Sequence, residues 1–146
     1  MTKLEADSPS VQSHLNMQQG VINRLASNSA SCKTWCVTLV SAIVVVVAEH
    51  DRPKLLYTAL IPIILFFALD AYYLGLERSF RSAYGDFVRK LHAGLATVED
   101  VFILHPTFGR PPRLLGIVLR AMLSVSVWPF YGILALLLGV VAKSLL

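Results

Sequence analysis

Apolar residues gather into three long runs, separated by stretches in which polar and apolar positions recur at helical spacing. A helix rises about 1.5 Å per residue, so crossing a hydrocarbon core about 30 Å thick takes roughly 20 apolar residues. Leu55–Leu74 holds a single charge, Asp70, near its end, and Ala121–Ala142 holds none. Thr34–Ala48 is shorter and reaches full length only if Ser29–Lys33 continue the same helix through the headgroup layer, where Trp35 fits well. The mostly polar segment before it, with Glu5 and Asp7 in place of a basic n-region, argues against a secretion signal. From Leu114 onward no polar turn interrupts the chain, and Pro129 is expected to kink one long helix rather than end it. The pattern predicts an all-α membrane protein with three transmembrane helices, about residues 30–48, 55–75 and 114–142. The first two form a tight hairpin through Glu49–Lys54.

Outside these runs the periodicity predicts amphipathic helix. Val11, Leu15, Val21, Ile22 and Leu25 share one face, with Ser8 or Ser10 as cap and Gly20 as a weak point. Phe80, Tyr84, Phe87 and Leu91 extend the second span as one helix to about residue 91. Thr97–Leu104 suits a short helix or a strand, and Pro106, Gly109, Pro111 and Pro112 force an irregular return. Four regions result: a cytosolic segment 1–33, a transmembrane hairpin 34–76, a cytosolic helix and Pro-rich connection 77–113, and a third span within 114–146. Of the 13 Lys and Arg, ten lie in the N-terminal segment or between the second and third spans, which places the N-terminus in the cytosol and the C-terminus outside.

Composition sharpens this reading. Hydrophobic residues make up 55% and charged residues 15%, against roughly 45–50% and about 25% in soluble domains. The two cysteines, Cys32 and Cys36, stand one helical turn apart and build no disulfide framework. A metal site takes about four ligands, and no second Cys/His cluster supplies them, so both read as small apolar residues. His14, His50, His92 and His105 are scattered, and no phosphate loop, nucleophile elbow or paired-carboxylate spacing occurs. The expectation is a protein without catalytic site, metal or cofactor.

Three features carry candidate chemistry. Asp70 is an acidic group inside a span, which marks an ion path, a buried partner for a cation such as Arg24 or Lys33, or a carboxylate reaching interfacial water. Glu77 and Arg81 form a favourable i, i+4 pair. Gly132, Ala135, Gly139 and Ala142 make a small-residue stripe on the third span, with Ser124 and Ser126 toward its inner end. Such stripes let helices approach closely in lipid, against the protein's own hairpin or against another subunit. Arg24, Lys33, Arg78, Arg81, Arg89, Lys90, Arg110 and Arg113 gather near the inner face. They suit anchoring to anionic lipid, or, with Phe80, Tyr84 and Phe108 nearby, the binding of phosphates and unstacked bases. A chain this small encloses no pore alone, so any channel is an oligomer.

The blocks Asn23-Arg-Leu-Ala-Ser-Asn-Ser29, Lys33-Thr-Trp35, Asp70-Ala-Tyr-Tyr-Leu74 and Glu77-Arg-Ser-Phe-Arg81 carry a resemblance that covers about residues 11–90. In them the chain resembles small bacterial membrane effectors that accompany nucleotide second-messenger synthases in antiphage defence, the Hailong-type effectors in particular. The resemblance implies a homotetrameric ion channel in the inner membrane. It also implies a cognate nucleotidyltransferase that makes a single-stranded DNA oligomer. Bound DNA holds such a channel shut, and its loss opens the channel and arrests growth. Related effectors take a cyclic oligonucleotide instead. Two other readings compete: a non-conducting membrane scaffold, and a membrane-disrupting toxin controlled by a protein partner.

Overall fold

The computed structural model describes residues 4–5, 7–50, 53–104 and 111–145. Among them the chain is helical, with no strand. Helix α1 runs unbroken for 42 residues, Pro9–His50, a rod about 63 Å long. Its start follows the chemistry of helix entry: Pro9 takes the first helical position, where its missing N–H has no partner to lose. The Ser8 hydroxyl accepts from the backbone N–H of Val11 at 3.4 Å. The amphipathic segment and the first apolar run are thus one element, and the poor helix formers Asn28–Ser31 do not interrupt it. Packing overrides their propensity, because Ser29 and Cys32 lie buried in the contact face.

A 3-10 segment, Pro53–Ala59, leads directly into α2, Leu60–His92. Pro62 cannot donate to the carbonyl of Thr58, so a regular α-helix has no way to cross that point from the turn. The tighter 3-10 winding takes up the mismatch. At the other end Gly94 adopts φ 67°, with Leu95 N–H bonded to Lys90 O at 2.9 Å and Gly94 N–H to Leu91 O at 3.0 Å. This is the left-handed cap that glycine permits.

α1 and α2 pack as a long antiparallel hairpin. The buried face of α1 reads Val11, His14, Gln18, Ile22, Leu25, Ser29, Cys32, Cys36, Val40 and Val47, a seam at steps of three, four and seven. Both cysteines are buried and free, as two small apolar residues. Phe87 packs with Val11 and Val101 in a small separate core, flanked by Leu4, Leu15 and Leu91.

The third run is not one helix. It divides into α3, Pro111–Met122, and α4, Trp128–Leu145, across a turn at 123–127. Pro129 permits the break: it has no N–H for the carbonyl of Val125, and its ring would clash there in a continuous helix. In the first turn of a new helix neither penalty applies. The Ser124 carbonyl closes the turn by accepting from Val127 N–H at 2.9 Å and Trp128 N–H at 3.1 Å. The expectation of a merely kinked helix over 114–142 is therefore corrected. Thr97–Leu104 takes the short-helix alternative in part, as a 3-10 helix at Val98–Asp100.

α4 lies against α2 and the 3-10 segment, Tyr131 beside Phe67 and the Ala142 end beside Leu56. α3 approaches α2 at Gly75, where an added Cβ would stand 3.2 Å from a methyl of Ile117. Two helices, α1 and the element Lys54–His92, are long and apolar enough to cross a membrane; α4 is apolar but shorter.

Candidate functional site

Where the apolar section of the hairpin ends, Asp70 has no exposed surface at all. Its two carboxylate oxygens are taken by groups one turn apart on α1. The Ser29 hydroxyl donates to Oδ1, and Lys33 Nζ donates to Oδ2 at 2.5 Å. One turn back on α2, the carbonyl of Phe66 accepts from the Tyr131 hydroxyl at 3.2 Å, so α4 is fastened beside the same site. Lys33 keeps 24% of its side chain exposed, which lets the ammonium meet the carboxylate at modest desolvation. Of the partners open to Asp70 in the sequence, Lys33 is the one found. Arg24 points outward, and Glu77 pairs with Arg81 at 2.7 Å.

Most of the described basic positions have a partner of their own. Arg89 pairs with Asp86, and Lys90 with Asp100 at 2.9 Å. Arg78 donates to the Ser124 hydroxyl at 2.7 Å, tying α2 to the turn between α3 and α4. Arg24 and Arg120 are exposed and have no ion-pair partner among the described residues. Arg110 and the side chain of Arg113 lie outside the described residues.

The small-residue stripe of α4 is divided. Ala135, Gly139 and Ala142 line a shallow groove of about 80 Å³ with Leu56, Tyr57 and Leu60 of the same chain. Gly132 is exposed and lies beside the Trp128 ring, outside that lining. Ser124 and Ser126 belong to the turn, not to the helical stripe expected for them, because Pro129 starts α4 only after they have passed.

A different polar face, not singled out from the sequence, runs along α1. Ser27, Ser31, Thr34, Thr38 and Ser41 recur at steps of four, three, four and three, and all are exposed. At 100° per residue they lie opposite the seam that packs on α2. Three of the hydroxyls bond back to the helix: Ser31 to Ser27 O at 2.9 Å, Thr34 to Ala30 O at 3.4 Å and Thr38 to Thr34 O at 2.9 Å. Arg24 continues the face at its polar end. The hydroxyl spacing was visible in the sequence, but which face of α1 packs on α2 was not.

His14 was also missed. It is 1% exposed, with Phe87 against its ring at 4.5 Å, and its Nδ1 accepts from Phe102 N–H at 3.0 Å. That bond places the imidazole proton on Nε2. It also holds Phe102 at φ 65°, a left-handed backbone that costs a non-glycine residue about 1 kcal/mol or more. Burial pushes the His14 pKa below its ordinary range, and the Asp100 carboxylate opposes this in part. The hydrogen bond from Lys90, and after it that from the Thr97 backbone, holds the Asp100 carboxyl below the usual carboxylate range.

No known protein family matches the chain, and neither does any curated sequence or solved structure compared with it.

Proposed function

We propose that the chain is the subunit of an oligomeric channel in a bacterial inner membrane, with the hydroxyl face of α1 as the pore wall. One observation carries this reading. The outward faces of α2 and α4 are built from bulky apolar residues such as Ile61, Ile64, Leu65, Leu136 and Val140, whereas α1 at the same depth carries a hydroxyl strip, Thr34, Thr38 and Ser41, between the exposed apolar side chains of Val37 and of Trp35 and Leu39. Lipid suits the former. Water or another polar helix suits the latter. In this reading α1, α2 and α4 are three spans, and the lobe holding His14 and Phe87 is cytosolic. Trp35, Tyr72 and Trp128 mark the inner interface, and Tyr57 marks the outer one.

The resemblance adds a tetramer, a nucleotidyltransferase partner and a nucleic-acid or nucleotide ligand. A single-stranded DNA oligomer would hold the pore closed, and its loss would depolarise and arrest the cell. Arg24 is the first candidate to meet such a polyanion, since it is exposed, has no ion-pair partner among the described residues and continues the hydroxyl face at its polar end. Arg81, Arg89 and Lys90 already have carboxylate partners.

The test is the mass of the purified protein in detergent with and without short single-stranded DNA, followed by conductance in planar bilayers. A discrete oligomer that retains DNA at moderate salt and conducts when stripped of it is the expected result. The salt dependence of binding counts the phosphates neutralised. A monomer that ignores DNA and passes no current overturns the reading. A scaffold is the second reading, favoured by the exposed Leu95, Val98, Phe102 and Ile103 on the lobe.

A further inference from the structure

The turn between α3 and α4 leaves Leu123 80% and Val125 85% exposed, and Trp128, the first residue of α4, is 54% exposed. A chain that closes this turn with its own backbone hydrogen bonds has no need to leave a leucine and a valine almost bare in water. What surrounds the turn identifies the medium. Its depth is fixed from both sides, by Arg78 donating to Ser124 and by Tyr131 donating to Phe66 O, four residues from Asp70. Trp128 stands at the start of α4, on which Ile133, Leu136, Leu137 and Val140 are exposed as well.

α3 repeats the pattern. Ile117 and Val118 meet Gly75, and Ala121 is fully buried. Leu115 and Leu119, four apart, are exposed, and Arg120 is exposed on a third sector. One helix therefore carries a packing side, an apolar side and a cationic side. That division belongs where protein, acyl chain and headgroup meet.

We infer that the α3–α4 elbow is a docking surface for the anionic inner leaflet. Leu119, Leu123, Val125 and Trp128 sit at the boundary of acyl chains and headgroups, and Arg120 takes the lipid phosphate. The inference rests on the membrane reading above, and it gives Arg120 and the apolar turn a role separate from the pore. It also makes Arg78 a positioning residue, since Arg78 holds Ser124 and so sets the height of the turn.

The experiment places nitroxide labels at Ile64, Leu119, Leu123, Val125 and Leu136, one at a time, on a Cys32→Ala, Cys36→Ala background. The protein is reconstituted in phosphatidylglycerol or phosphatidylcholine vesicles, and accessibility to oxygen and to a nickel chelate is compared. The expected result puts positions 64 and 136 in the acyl core and positions 119, 123 and 125 at headgroup depth. Arg120→Glu should lower occupancy of the inserted position about fivefold in phosphatidylglycerol and change little in phosphatidylcholine. Labels at 119, 123 and 125 open to the nickel chelate, with 64 and 136 still in the core, overturn the inference alone. Labels at 119, 123 and 125 closed to both probes also overturn it, and point to a second copy or a protein covering the turn. Nickel access at 64 and 136 overturns the membrane reading itself.

Discussion

A carboxylate with no exposed surface is costly unless its oxygens are occupied, and Asp70 fills both from a single turn of α1. Removing one partner leaves the other charge stranded at low dielectric. Lys33→Leu or Asp70→Leu alone is expected to destabilise by up to about 3–5 kcal/mol, less for Asp70→Leu because Lys33 can reach water. The double variant should recover most of the loss, as thermal unfolding in detergent will read through a double-mutant cycle. The sequence exposed Asp70 but left its partner open. A hairpin turning near residue 51 brings both Lys33 and Arg24 level with acidic residues of α2. Only the rotation of α1, set by the buried Cys32, Cys36 and Ile22, turns Lys33 inward and Arg24 out.

His14 gives a pH dependence with a definite sign. Its folded pKa lies below its ordinary 6.5, so the unfolded chain binds a proton that the folded lobe refuses. Stability is full above that ordinary value and falls as pH drops toward the folded one, with Asp100 adding a loss at lower pH still. Protonated Nδ1 would face the Phe102 N–H donor to donor. His14→Gln keeps an acceptor and does not titrate. Melting followed between about pH 7.5 and 5 should show a declining limb in the parent that flattens in this variant.

At the scale of elements, the two long helices were legible because each keeps its periodicity for many turns. The break before α4 was not, because every residue from Leu114 to Val127 except Arg120 and the serines is compatible with continuous apolar helix. Pro129 signals a break and a kink alike. What selects the break is the Ser124 turn, pinned from outside by Arg78. The fit between α3 and α2 depends on Gly75, where a Cβ would press on Ile117. Gly75→Leu should cost about 1–3 kcal/mol by overpacking. Gly139→Leu enters open space and should leave the thermal midpoint of the subunit near that of the parent. Equal effects at both positions would mean that the α4 stripe is an intersubunit contact after all.

For the whole molecule, the proposed pore wall separates two faces that the sequence could not rank. Thr34→Leu with Thr38→Leu should leave the oligomer's mass in detergent unchanged and reduce single-channel current severalfold, because the wall loses its hydroxyls. Unchanged current would move the pore to α4 or remove it. The candidate site was thus half visible: its chemistry lay in the residue types, its geometry in which way a single helix faces.

That helix has a mechanical consequence. α1 is one rigid rod gripped near its middle by Asp70, with about 36 Å of shaft toward Pro9 and about 25 Å toward His50. Because its seam packs on α2 from Val11 to Val47, a tilt would move the hairpin as one lever. A tilt of about 5° about the grip carries the Pro9 end about 3 Å one way and the His50 end about 2 Å the other. A push on the lobe reaches the far end as displacement, with no joint between to absorb it.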